Sequence, residues 1–305
     1  MTDAGGIGQA DAHRFGIPAP VHRLPGGTRV GGVRLQVADL DRSLEAYRAT
    51  LGFEVLEREG GRLRLGAEGG GPPLIELIER PKSRPAPRFG RLGLYHFAIL
   101  LPNREALGRI LVHLRRRSVS PGMSDHGVSE ALYLRDPDGL GIEIYADRPR
   151  DRWSVRGSEL QMDTKPLDEV DVIAASDGRP WTGMPDGTTI GHIHLHVGDL
   201  ELAREFYHSD LGFDVTAWTY SGALFFSAGG YHHHLGVNTW AGTDARTPGD
   251  DEARLLSWDL ILPTASDVHA VIARLEQAGH QAIDDDTGGL VADPWGTFTR
   301  IASAS

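Results

Sequence analysis

Two stretches of the chain carry the same order of apolar and polar positions. VGGVRLQVADLDRSLEAYRATLGFEV, from Val30, and IGHIHLHVGDLELAREFYHSDLGFDV, from Ile190, align without a gap. In each, apolar residues first alternate (Val33, Leu35, Val37; Ile193, Leu195, Val197), which predicts a strand buried on one face. The spacing then becomes helical: Leu44, Tyr47 and Leu51 form one stripe, Leu202, Phe206 and Leu211 the other. Asp39 and Asp199 stand where an N-cap is expected, since a carboxylate accepts the free N–H groups of a first turn. Gly52 and Gly212 are suitable helix stops.

A second pattern also recurs. LYHFAILLP (94–102) precedes a helical stretch (103–117) and YLRDPDGLGIEIY (133–145); LLSWDLILP (255–263) precedes a helical stretch (265–279) and LVADPWGTFTRIA (290–302). Each D-P-x-G is a tight turn between strands, with proline fixing φ and glycine tolerating positive φ. The chain is therefore four strand–helix–strands units, at 28–80, 92–148, 188–240 and 254–303, in two tandem halves, 28–148 and 188–303. Residues 1–27 read as irregular. Residues 149–187 form a polar connection containing Pro and Gly, with a helix near Leu167 to Ala175. GAEGGGPP (66–73) reads as a hairpin loop, because the strand-then-helix setting of a phosphate-binding glycine motif is absent. The basic run at 115–117 closes a helix, where cations suit the dipole.

Composition narrows the function. At 305 residues, with 40% hydrophobic and 24% charged residues, the chain has the make-up of a soluble globular protein of about two domains. A formal net charge of −11 argues against nucleic acid as the main partner. Cysteine is absent, which removes disulfides, zinc–thiolate sites and cysteine nucleophiles. No apolar run reaches the roughly 20 residues of a membrane span, and the first thirty residues lack a signal-peptide core. A cytoplasmic protein with no membrane partner is expected. Candidate chemistry then rests on histidine. Strand alternation puts His192, His194 and His196 on one face, as a metal site or as the polar wall of a groove.

Four βαβββ units with these helices and D-P-D-G hairpins resemble the vicinal oxygen chelate superfamily, which includes glyoxalases, drug-resistance proteins and extradiol dioxygenases. GLYHFAILLP, SDHGVSEALYLRDPDGLGIEIYADRP, GHIHLHVGDL and SAGGYHHHLGVNTW are similar to the catechol 2,3-dioxygenase branch. The resemblance implies an α+β fold whose units pair into cup-shaped sheets, with a metal inside a cup held by residues of the first and last strands. In this chain those slots hold Gly32, His96, His192 and Ser257 on first strands, and Glu143 and Arg300 on last strands. Units three and four would give His192, Ser257 and Arg300, and a guanidinium has no lone pair to donate. Units one and two fall one ligand short. Units two and three give His96, His192 and Glu143, the two-imidazole, one-carboxylate set that holds non-haem Fe(II) with open positions; Mn(II) fits the same donors. Units two and three are thus expected to share a loaded cup, within one chain or across a dimer, and units one and four an empty one.

By the same resemblance, His126 and Tyr133 would hydrogen-bond a substrate oxygen and His233 would act as acid–base residue, with His232 and His234 as rivals. His194, His196, His232 and His234 are candidate substrate-lining residues, and Glu76 reads as structural. The implied activity is extradiol ring cleavage, with a catechol-type aromatic diol and O2 as partners and a homo-oligomer as a common family state. A glyoxalase-like lyase or isomerase generally needs a fourth protein ligand, which the slots around Gly236 and Val237 do not offer. A metal-free drug-sequestering module has no use for three convergent ligands.

Overall fold

The computed structural model describes residues 15–285 and 288–304. Unit one comprises β1 (Arg29–Val37), α1 (Leu40–Leu44), β2 (Glu54–Glu59), β3 (Arg62–Gly66) and β4 (Ile75–Glu79). Unit two comprises β5 (Gly93–Leu100), α2 (Arg104–Arg116), β6 (Gly122–Asp125), β7 (Ser129–Arg135) and β8 (Gly141–Asp147). The connection holds a short hairpin, β9 (Val155–Arg156) and β10 (Glu159–Leu160), and α3 (Glu169–Ala174). Unit three runs through β11 (Thr189–His196), α4 (Leu200–Arg204), β12 (Asp214–Ala217), β13 (Ala223–Ser227) and β14 (Leu235–Asn238). Unit four runs through β15 (Arg254–Leu262), α5 (Ala265–Gln277), β16 (Ala282–Asp285), β17 (Gly288–Ala292) and β18 (Phe298–Ser303).

The architecture is α+β, with two curled eight-stranded sheets that each take one unit from either half of the chain. The order β12-β13-β14-β11-β5-β8-β7-β6 joins units three and two; β16-β17-β18-β15-β1-β4-β3-β2 joins units four and one. The first strands meet antiparallel at each centre, β5 on β11 and β1 on β15. Pairing of units two and three therefore occurs within one chain. We call their sheet the inner sheet and the other the outer sheet. The strand phase expected from the apolar alternation holds: Val33, Leu35, Ile193, Leu195, Phe97, Ile99, Trp258 and Leu260 are buried in one core with Tyr47, Ile110, Leu114, Phe206, Val271 and Leu275 of the helices. The opposite phase is left to line the cups.

Asp39 accepts from Arg42 N, and Asp199 from Glu201 N and Leu202 N, as N-caps. The helices depart from expectation in their second turns, which widen into π-helix over Glu45–Leu51 and Glu205–Asp210. A π-turn adds a residue and rotates the apolar face. Leu202, in the α-helical turn ahead of it, is 49% exposed instead of facing the core, while Ala203 and Tyr207 are buried. Tyr47 and Tyr207 each reach the D-P-x-G turn of the next unit, in the other sheet. Tyr47 donates to Asp136 Oδ2 at 3.2 Å and Tyr207 to Asp293 Oδ2 at 2.8 Å. The same two carboxylates accept backbone N–H groups of their own turns. Burial pushes the Asp136 carboxyl up to about 7 and raises that of Asp293.

Residues 15–27 lie mostly without regular structure along unit three, where Arg23 pairs with Asp214 and Ile17 bridges to Val215. Among the described residues no helix is long and apolar enough to cross a membrane.

Candidate metal centre and aromatic cup

The candidate site occupies the concave face of the inner sheet. His96 on β5, Glu143 on β8 and His192 on β11 converge there, with one donor atom from each within 4.8 Å of the others. All three residues are buried. Two local devices make the approach possible. Gly191 is an extra residue in the β5–β11 ladder, since Ile190 pairs with Ile99 and His192 with Ala98. A Cβ at Gly191 would lie 1.8 Å from the Tyr145 hydroxyl, so only glycine lets Tyr145 pack against the His192 ring. The second irregularity leaves Tyr95 unpaired between Leu94 and His96, and Tyr95 thereby lines the same cup as His96.

The two imidazoles converge on one carboxylate oxygen, and His192 Nε2 is hydrogen-bonded to it. His96 Nε2 lies 2.9 Å and His192 Nε2 3.1 Å from the same oxygen, Glu143 Oε2. Yet His96 Nε2 is buried without a hydrogen-bond partner of acceptable geometry. A buried imidazole nitrogen in that position costs free energy unless something else meets it, and a divalent cation is the group that all three donors suit. Protonation favours the same reading. Burial pushes the Glu143 carboxyl up, but His192 and His96 outweigh it and hold the carboxyl well below the usual range. Burial lowers His192 to about 4. Burial thus favours the neutral imidazole at His192, the form whose lone pair can reach a metal.

The walls surround a cavity of about 370 Å³, near the small end of the usual range for ligand sites. Tyr95, Met123, Met162, Tyr220, Phe225 and Trp240 supply its aromatic and thioether surfaces. Met162 comes from the connection, so residues 149–187 do reach the site. That segment is tied to both flanks of the cup. Lys165 and Asp125 exchange backbone hydrogen bonds on one side; on the other, Glu159 accepts from Trp218 N and Thr219 N, and Thr164 bonds the Tyr220 hydroxyl.

His126, Tyr133, His194 and His233 all line the cavity. His126 Nδ1 lies 2.6 Å from the Asp163 carbonyl and Nε2 lies 2.6 Å from the Tyr133 hydroxyl. A carbonyl only accepts, so His126 carries its proton on Nδ1 and, when neutral, accepts the Tyr133 O–H at Nε2. The Tyr133 oxygen keeps its lone pairs for a ligand. Burial, reinforced by Glu143, raises the phenol well above its ordinary value. His194 sits among Tyr95, Trp240 and the His96 ring, its Nε2 buried and unpartnered. Gly236 beside it has no side chain to offer as a fourth ligand, and a Cβ there would press on the His194 ring at 3.0 Å.

Three expected lining residues sit elsewhere. His196 borders a separate small cavity between the sheets and bonds Asn238 Oδ1 at 2.7 Å. The β-bulge at Tyr95 separates the His196 end of the strand from the cup. His232 is buried behind His233, and His234 turns Nδ1 to Ser227 and Ala228 N. Three consecutive residues cannot all face one cavity, and only His233 does. Tyr95 and Trp240 lie within the quoted motifs but were given no role there, and Phe225 lies outside them. Met162 could not be assigned because the connection lacks a repeat partner.

Comparison with known proteins agrees with this picture. The Glyoxalase/Bleomycin resistance protein/Dioxygenase superfamily profile matches residues 29–144 and 189–298. Catechol-2,3-dioxygenase of Bacillus subtilis (strain 168) is 42% identical over 270 residues, 88% of this chain and 94% of that protein. A solved putative dioxygenase from Bacillus subtilis superposes with a TM-score of 0.62 at 12% identity, covering 92% of this chain and 86% of the other. Glyoxalase I from Zea mays superposes with a TM-score of 0.52 at 16% identity, covering 91% and 92%; both likenesses are of fold. By repeat, sheet pairing and sequence, the chain belongs to the glyoxalase/bleomycin resistance protein/dioxygenase superfamily.

Proposed function

We propose that the protein is an extradiol ring-cleaving dioxygenase that inserts O2 into catechol or a substituted catechol. The convergence of His96, Glu143 and His192 in a cup that also holds the His126–Tyr133 pair carries this reading, and the similarity to a catechol-2,3-dioxygenase supports it. His96 Nε2, His192 Nε2 and Glu143 Oε2 would hold Fe(II). The ion, when bound, supplies a Lewis acid that lowers a phenol pKa and a meeting point for diol and O2.

The residues of the chain perform the remaining tasks. Tyr95, Phe225 and Trp240 hold an aromatic ring and keep water from its faces. Tyr133, donating to His126, presents an acceptor oxygen to a substrate hydroxyl. His233 lies on the other side of the His192 ring, 4.1 Å away centre to centre, where a neutral imidazole takes and returns a proton.

The test is to load the protein with Fe(II) without oxygen, count iron per chain, and add air and catechol. One iron per chain and a yellow ring-opened product are expected. Bound iron with no product from catechol, alkylcatechols or halocatechols sinks the proposal.

A further inference from the structure

Behind His233 lies a chain of hydrogen bonds that leads out of the cup. Strand β8 carries Glu143, Tyr145 and Asp147 on one face at alternate positions. Glu143 reaches the candidate metal point. Asp147, two pairs of residues further on, lies at the rim with 30% of its side chain exposed. Its Oδ1 is 2.9 Å from His232 Nε2 and accepts the Tyr231 hydroxyl at 3.1 Å. His232 is fully buried, with the Tyr231 ring 4.0 Å and the Trp153 ring 5.4 Å away between centroids. His232 Nδ1 is in turn 2.7 Å from His233 Nδ1.

The donor and acceptor roles follow from one end. A carboxylate only accepts, so His232 carries a proton on Nε2. A neutral His232 then has a bare Nδ1. Two imidazole nitrogens 2.7 Å apart need one proton between them, and it must belong to His233. Neutral His233 therefore holds its proton on Nδ1 and leaves Nε2 bare. His233 borders the cavity, so this lone pair is what it offers to a ligand there. We propose that Asp147 and His232 are positioning residues that fix His233 in the Nδ1–H tautomer, so that it meets a bound diol as a hydrogen-bond acceptor. The assignment to a diol rests on the dioxygenase reading; the tautomer does not. The arrangement uses the logic by which an aspartate sets the tautomer of a catalytic histidine in hydrolases, with one imidazole interposed.

The test measures tautomers directly. Protein labelled with ¹⁵N at histidine and loaded with Zn(II), as a metal that does no redox chemistry, is examined by long-range ¹H–¹⁵N correlation. His233 is expected as Nδ1–H and His232 as Nε2–H. In Asp147→Asn the side-chain amide can donate to His232 Nε2, reversing the chain and moving the His233 proton to Nε2; Asp147→Glu retains the native pattern. Wild-type His233 protonated on Nε2, a doubly protonated His232, or an Asp147→Asn spectrum unchanged at His233 overturns the proposal. With Fe(II) and catechol, Asp147→Asn should lower kcat by about 10- to 100-fold, less than the roughly 100- to 10,000-fold of a whole acid–base group, with KM within about two-fold, and Asp147→Glu should recover most of the loss. An equal loss in both variants refutes the positioning role. Absence of turnover in the wild type refutes the dioxygenase reading, and the nitrogen spectra then still decide the tautomer.

Discussion

The inner and outer sheets are built on one plan and differ in what fills their hollows. In the inner sheet the central slots hold His96, Glu143 and His192. In the outer sheet the equivalent slots hold Ser257, Arg300 and Gly32, and the hollow is crossed by ion pairs. Arg34 binds Glu76 and Asp259, both at 2.9 Å, and Arg300 grips Asp259 through two nitrogens at 2.8 and 2.7 Å. Glu76, read from the sequence as structural, is one of these partners. A guanidinium stands where the inner sheet puts its carboxylate, so opposite charges satisfy one another with no need of an ion. The outer hollow still encloses about 620 Å³. The difference teaches that a cavity and a fold do not make a metal site; convergent imidazole and carboxylate donors at the slots do.

The largest expected effect breaks the inner side of this contrast. Glu143→Ala should weaken Fe(II) binding by more than about 100-fold, beyond the usual loss from an outer hydrogen-bond partner of a ligand. Anaerobic equilibrium dialysis measures it, and one iron retained per chain would contradict the three-donor site. The counterpart in the outer sheet is Asp259→Ala, which strands Arg34 and Arg300. Breaking a buried pair costs about 3–5 kcal/mol; with these guanidiniums about a fifth to a quarter exposed, roughly 2 kcal/mol is expected after solvent screening. Urea unfolding reads the loss, and iron stoichiometry should stay at the wild-type value. A fall in iron instead would show that the two hollows are not independent.

The tyrosine–aspartate clasps that join the sheets give a smaller, pH-dependent effect. The folded Asp136 carboxyl titrates at about 7 and its unfolded reference is 3.8. The folded state therefore holds this proton more tightly, and stability falls as pH rises through that window. Asp136→Asn keeps the acceptor oxygen and removes the charge. Its unfolding free energy relative to wild type, read by urea titration, should rise between pH 5 and pH 8 by on the order of 1–2 kcal/mol. A pH-independent difference would sink the account. Smallest are the caps: Asp39→Ala and Asp199→Ala should each cost about 1 kcal/mol, nearly equally, because the repeat uses the same device in both sheets. Thermal unfolding of the pair checks this, and a gap of several degrees between them would show that the units are not equivalent scaffolds.

Much of this arrangement was legible because the chain repeats itself. Superposing units exposed His192 against Gly32 and Glu143 against Arg300, and alternation put the apolar faces correctly. What escaped was structure that breaks period. The second turns widened into π-helix, Leu202 faced outward, and the extra residues at Gly191 and Tyr95 altered which side chains share a face. Met162, Phe225 and Trp240 enter the cup through tertiary packing that no local spacing encodes. Asp147 escaped because its meaning depends on His232, far away in sequence and meeting it only in the folded sheet.

The pairing of units has one consequence for how the molecule must assemble. The strand contacts nest like brackets: β5 finds β11 inside, while β1 must wait for β15 to enclose them. Closing the shorter span first costs less chain entropy, and the wider closure then starts from an ordered middle. Val30 meets Leu260, whereas His96 faces His194. The hollow with the convergent histidines and glutamate therefore belongs to the bracket that can shut first, before the last unit has left the ribosome. The salt-bridged hollow is the clasp shut around it afterwards.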